Sequence, residues 1–303
     1  MPILKLIRYQ NLILLALTQL LIHYALFRPF GVDLMLSDFG LVLLMLSTLC
    51  IAAAGNIIND INDVETDRIN KPEKVIVGTS ISESRAYNLF MALNVIGIGL
   101  GFYVSMKIGK NEFFAIFVIT SLLLYLYATT IKPILIVSSL VVSALVALSI
   151  MLVPIFDLLP LMVPQNREAQ LTFFRIAVDY AAFAFILNFV REIIKDIEDI
   201  DGDHKAQMQT LPIVLGRERA KNVAFILSLL PIVAVIYYLV TYLYQHQVLI
   251  GYFLIAVIAP LIYASTKLFS AKTKRQFHHI SSIYKLAMLT GILSMLLYPL
   301  VLN

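Results

Sequence analysis

The sequence predicts an all-α fold: a polytopic membrane bundle of nine transmembrane helices, read as a single domain over residues 1–303. Three observations predict it. Of the 303 residues, 60% are hydrophobic and only 14% are charged, against roughly 25% charged in a soluble domain. The mean hydropathy of +0.88 in a 34.0 kDa chain is more apolar surface than one globular core can hide. The apolar residues also gather into nine windows that meet or approach the about 20 residues needed to cross a bilayer. Soluble, disordered and disulfide-rich classes are thereby excluded. Cys50 is the only cysteine, which rules out an internal disulfide and a cysteine-rich metal site; it reads as a packing residue.

The windows follow one another along the chain. Asn11–Phe27 comes after a basic start with Lys5 and Arg8. It is expected to be a retained helix rather than a signal peptide, because no small-residue cleavage site precedes Arg28 and Pro29. Phe39–Ile58 holds Cys50. Ala86–Met106 follows Ser80-x-x-Glu83, a capping-box signal for a helix start. Phe113–Ile131 and Pro133–Phe156 are separated only by Lys132, and Pro133 predicts a sharp turn between two helices. Leu171–Val190 carries Arg175 and Asp179 near its start. Asn222–Tyr244, Val248–Thr266 and Ile280–Leu302 complete the set, the last containing Lys285.

The formal net charge is +4, which in a membrane chain reflects orientation signals and anionic headgroups, so no nucleic-acid partner is expected. With the N-terminus on the cytoplasmic side, seventeen of the 23 Lys and Arg residues fall on that side and five on the other. The positive-inside rule then predicts a cytoplasmic N-terminus, with the C-terminus on the opposite face.

The acids carry the chemistry. Thirteen of the 19 carboxylates lie in the two segments after the second and sixth windows. Asp60, Asp63 and Asp67 are spaced i, i+3, i+7, and Asp196, Asp199 and Asp203 repeat that spacing 136 residues later, which suggests an internal repeat. On a helix those positions fall within about 60° of one another. Asn56 extends the first stripe; Asn188 and Glu192 extend the second. Glu65, Glu198 and Asp201 fall off these faces and read as solvated. Stacked like charges near hydrocarbon are unfavourable unless a cation joins them. All-oxygen ligands favour Mg2+ over Zn2+. Mg2+ is typically held by one or two carboxylates plus substrate phosphates, so two facing stripes would hold a diphosphate. The nearby bases Arg68, Lys71, Lys74, Arg191, Lys195 and Lys205 suit an anion site.

Asn59-Asp60-x-x-Asp63-x-x-x-Asp67, continuing Arg68-Ile69-Asn70-Lys71-Pro72, resembles the first motif of the UbiA superfamily of intramembrane prenyltransferases. Asp196-x-x-Asp199-x-x-x-Asp203 resembles the second. The stretch Arg191 to Asp203, with Thr210-Leu211-Pro212 and Gly216 beyond, looks most like the branch of digeranylgeranylglyceryl phosphate synthases. Arg8-x-x-Asn11 is similar to the family's N-terminal signature. Nine helices with acidic motifs after helices 2 and 6 is also the family layout. Glu73-Lys74-Val75 departs from the usual Arg-Pro-rich run, and Ser138-Ser139 stands where the family often shows a Gly-Asn pair.

The resemblance implies a prenyltransferase that uses Mg2+ to move a prenyl group from a prenyl diphosphate, of the geranylgeranyl class, to a lipophilic acceptor such as a geranylgeranylglyceryl phosphate-like lipid. An aromatic acceptor (a hydroxybenzoate, naphthoate or porphyrin) is the alternative within the family. Asp60, Asp63, Asp196 and Asp199 are expected to bind the metal–diphosphate, with Asn56, Asp67 and Asp203 supporting. Arg68, Lys74, Lys132 and Lys195 are expected at the phosphates. His204 reads as a surface residue. The rival class, a cation transporter with acids along its path, is disfavoured because the acids sit at helix ends on one side, with no acidic relay at mid-membrane.

Overall fold

The computed structural model describes residues 2–301. Among them nine helical spans are long and apolar enough to cross a membrane, and no strand ladder forms; a single isolated bridge joins Val77 and Ile81. The spans are α1 (Tyr9–Phe30), α2 (Asp38–Asn62), α3 (Glu83–Lys107), α4 (Asn111–Ile131), α5 (Val137–Leu161), α6 (Arg167–Lys205), α7 (Arg217–Tyr242), α8 (Gln247–Ser270) and α9 (Lys274–Leu300). Each answers one predicted window; Leu302, in the last window, lies outside the described residues.

Local chemistry sets several of these ends. The Ser37 hydroxyl accepts from the Gly40 N–H at 3.2 Å and caps α2. Thr273 and Gln276 form a reciprocal capping box that starts α9, satisfying two backbone donors left over at a helix N-terminus. The capping box predicted at Ser80 and Glu83 does not form. α3 begins at Glu83, but its N-cap is Ser82 in an extended conformation, without a side-chain cap. Ser80 is drawn instead into the turn where the Gly78 N–H donates to Ile81 O and the Ser80 N–H to Ile76 O. Pro133 ends the helical run as expected: Pro133 to Ile136 are non-helical and Ile136 has φ +60°.

The chain forms two compact units. The first comprises the chain up to Leu20, Val32–Lys132 and Ser149–Arg175. Within it α2 and α3 make the most extensive helix pair, with α4 against both. Gly97 allows this approach. A methyl group there would fall 2.7 Å from Ile51 Cγ1 and 3.1 Å from Cys50 Cβ, and the Gly97 carbonyl accepts the Ser47 hydroxyl at 2.6 Å. Small residues that admit close backbones, tied by hydroxyl hydrogen bonds, are how membrane helices associate where the surrounding lipid removes the hydrophobic driving force. At the acid-bearing end of α2, Leu6 of the short helix Pro2–Leu6 is fully buried against Ile57, Ile58 and Ile61. At the other end, the buried Asp157 carboxylate accepts the Leu36 N–H at 2.8 Å.

The second unit comprises Leu21–Gly31, Pro133–Leu148 and the chain from Ile176 onward. Its core joins Ile194 and Ile197 of α6 to Leu261 and Leu268 of α8 and Phe277 and Tyr284 of α9, all buried. α6 does not stop at the predicted Val190. It continues as one 39-residue helix to Lys205, because its core-facing positions persist through Ile193, Ile194 and Ile197.

Candidate active site

The first acidic stripe lies where α2 ends. Asn56, Asn59 and Asp60 occupy its last turns, Asp63 is the C-cap residue with φ −90° and ψ 0°, and Asp67 sits on the short helix Val64–Asn70. The break at Asp63 leaves the three aspartates in electrostatic reach of one another. Asp63 is buried, accepts Asn59 Nδ2 at 2.5 Å and forms an ion pair with Lys132 at the end of α4. Asp60 accepts Arg8 Nη2 at 2.7 Å. Burial first, then neighbouring Asp63, push the Asp67 carboxyl above its ordinary range, while Lys132 and Lys71 act the other way.

Arg8 was not among the expected binding residues, although the Arg8-x-x-Asn11 signature marked it. Its position follows from the local chain. The short helix Pro2–Leu6 ends, Arg8 adopts φ +53°, and α1 starts at Tyr9. A non-glycine residue in that region carries of order 1–3 kcal/mol of strain, held here by buried Leu6 on one side and the Asp60 pair on the other. Asn56 joins the same lock: its Nδ2 donates to the Ile7 carbonyl at 3.0 Å.

The second stripe rides on the last turns of α6. Asp196 is in electrostatic reach of Glu192, Asp203, Lys195 and Asp199. Lys195 donates to Glu192 at 2.8 and 3.1 Å, and Arg191 donates to Glu192 at 3.2 Å. Asp203 is buried, and Asp199 lies 3.8 Å from Lys274 Nζ at the start of α9. Asn188 is buried and donates to Ser143 Oγ at 3.2 Å, one turn along α5 from the buried Ser138-Ser139 pair.

Several expected residues are placed differently. Glu198, read as solvated, is buried and accepts or shares a hydrogen bond with His278 Nδ1 at 3.1 Å. Because α6 continues, Glu198 falls one turn after core residue Ile194 and faces α9. Glu65 and Asp201 are exposed, as expected, and so is His204. Arg68 turns outward to Glu65 at 3.5 Å, and Lys74 is exposed in the turn Pro72–Lys74; neither is brought onto the first stripe. Lys132 is. Lys274 and His278 were not anticipated; they stand i, i+4 at the start of α9, and only the tertiary packing reveals them.

Among the described residues, no three His, Cys, Asp or Glu side chains gather closely enough to enclose a metal by themselves. This donor set fits Mg2+, which keeps waters and completes its shell with substrate phosphates. Carboxylates interleaved with Arg and Lys provide both the ligands for such an ion and the charges for its anion.

Nine membrane-length helices carrying carboxylate stripes answered by basic side chains define an integral, polytopic membrane enzyme. The chain belongs to the UbiA prenyltransferase family, whose model matches residues 30–289, and it is therefore a prenyltransferase. It is 31% identical over 257 residues to the digeranylgeranylglyceryl phosphate synthase of Methanosphaera stadtmanae, covering 83% of this chain and 86% of that protein. It shares its fold with a solved digeranylgeranylglyceryl phosphate synthase at a TM-score of 0.63 and 23% identity, over 97% of this chain and 98% of the other. A UbiA homologue from Archaeoglobus fulgidus bound to DMAPP and Mg2+ matches at a TM-score of 0.57 and 18% identity, over 97% and 99% of the two chains.

Proposed function

We propose that the whole chain acts as one domain that transfers a prenyl group from a prenyl diphosphate, of the geranylgeranyl class, to a geranylgeranylglyceryl phosphate-like lipid. In the reaction the donor's allylic C–O bond breaks and pyrophosphate leaves. A new C–O bond forms to the acceptor hydroxyl, whose proton is released. The synthase of Methanosphaera stadtmanae and the DMAPP- and Mg2+-bound homologue support this reading.

Asp60, Asp63, Asp196 and Asp199 hold the metal–diphosphate, supported by Asn56, Asp67 and Asp203. Mg2+, when bound, supplies Lewis-acid neutralisation of the departing diphosphate. Arg8 and Lys132 add fixed positive charge where that anion develops, and Lys195 and Arg68 supply weaker attraction nearby; Lys74 contributes through the local field alone. The apolar helices exclude water that would otherwise quench the allylic cation, and their aromatic faces stabilise it. The two motifs lie at the acid-bearing ends of α2 and α6 and, with the N-terminus, face the cytoplasm.

The observation that carries the reading is the pairing of Asp60 with Arg8 and of Asp63 with Lys132: acids expected to bind a cation stand beside bases suited to its anion, Lys132 expected there and Arg8 not. The test uses purified protein, radiolabelled geranylgeranyl diphosphate and a panel of lipid and aromatic acceptors. Acceptor-dependent release of pyrophosphate that EDTA abolishes is expected. Turnover unaffected by EDTA overturns the metal role, and prenylation confined to aromatic acceptors overturns the lipid assignment.

A further inference from the structure

A second polar feature lies wholly within the second unit, far along α6 from its aspartate stripe. α6 and α7 enclose a cleft of about 210 Å3 lined by Asp179, Phe183, Tyr237, Tyr238 and Tyr242 among others. Asp179 precedes Asp196 by 17 residues of unbroken helix, about 26 Å of rise. α7 starts beside the acid-bearing end of α6 and finishes at Tyr242, so the cleft lies toward the opposite end of these helices. Tyr237 and Tyr242 are more than half exposed and lie in the last turns of α7, and tyrosines near the ends of spanning helices favour the headgroup level.

Asp179 is partly buried in an apolar helix, and among the described residues no Lys, Arg or His pairs with it. A carboxylate there is unfavourable unless a partner compensates it, and such a residue marks a functional site by default. The surrounding rings narrow the partner's chemistry. Phe183 and Tyr238 meet edge to face at 5.9 Å, and Tyr238 and Tyr242 stand 5.2 Å apart. The Tyr238 hydroxyl is already engaged with Tyr298 at 3.1 Å, so Tyr238 offers its ring rather than its oxygen. Aromatic faces around one carboxylate are the arrangement that attracts organic ammonium groups, through the ring quadrupoles and the opposite charge together. The volume is below the about 300–1,000 Å3 of pockets that enclose whole small molecules, which suits a headgroup. Exposed Val233, one turn before Tyr237, gives a lipid tail an apolar track.

We infer that this cleft is a binding site for a membrane lipid whose headgroup ends in an ammonium, with Asp179 as its counter-charge and Tyr237, Tyr238 and Tyr242 as its walls. The inference does not rest on the prenyl-transfer reading. The full chain, reconstituted in nanodiscs containing equal phosphatidylethanolamine and phosphatidylglycerol, is released into a native mass spectrometer and the retained lipid identified. Preferential retention of phosphatidylethanolamine is expected, falling about tenfold in Asp179→Asn, the equivalent of about 1.4 kcal/mol. Equal retention of both lipids by the unaltered chain, or undiminished preference in Asp179→Asn, overturns the site. If Asp179→Asn does not fold, the double variant Tyr237→Leu/Tyr242→Leu replaces it. Loss of the preference there supports the site, and its persistence overturns it.

Discussion

Arg8 and Asp60, 52 residues apart, share a 2.7 Å charge-assisted hydrogen bond that ties the start of the chain to the end of α2. The bond explains how a residue before the first span reaches the proposed metal–diphosphate site. Arg8→Ala removes a preorganised donor, so kcat/KM for the prenyl diphosphate is expected to fall about 10²–10³-fold. Arg8→Lys restores only part of it, since an ammonium lacks the guanidinium fork. Steady-state kinetics on monodisperse variants in detergent decides the matter.

Lys132 tests stability and function together. Its partner Asp63 is only 7% exposed, so Lys132→Met strands a buried carboxylate, at a cost of about 3–5 kcal/mol. The double variant Lys132→Met/Asp63→Asn is expected to regain most of the lost Tm in thermal unfolding while remaining inactive. If the double variant is as unstable as the single one, the pair does not hold this end of the unit together.

Asp199→Asn and Glu198→Gln separate two adjacent acids. Asp199 belongs to the proposed metal-binding face, so its variant is expected to need more Mg2+ for half-maximal turnover and to lose most of its activity. Glu198 answers His278 instead, and Glu198→Gln, which keeps a hydrogen-bonding oxygen, is expected to turn over close to the unaltered rate. A Mg2+ titration of both variants reads the difference.

Gly97→Val probes packing alone. The added methyls meet Ile51, Cys50 and the Ser47 backbone, and overpacking of this kind costs about 1–3 kcal/mol. Tm is expected to drop with kcat preserved in the folded fraction, as measured by thermal unfolding beside single-turnover assays.

Much of this architecture is legible in the chain because lipid forces it into long apolar runs, and each of the nine windows has its helix. Asp60, Asp63 and Asp67 are legible by spacing, and Lys132 by its place between two windows. What the sequence hides depends on helices longer than their apolar stretch. α6 carries on through a charged segment because one face still packs on α8 and α9, and this turns Glu198 inward. Lys274, and the partner though not the presence of Arg8, are hidden for another reason: an ion pair between residues dozens of positions apart leaves no periodic mark.

The 39-residue span of α6 differs in kind from the hinge-like interruption at Asp63. Asp196, Asp199 and Asp203 are mounted on one unbroken helix, which fixes their spacing along its axis. Asp67, beyond the interruption, rides on the separate helix Val64–Asn70 and is not bound to the axis of α2. The two stripes thus differ in mounting: the first is divided between two helices at Asp63, and the second stands on a single shaft.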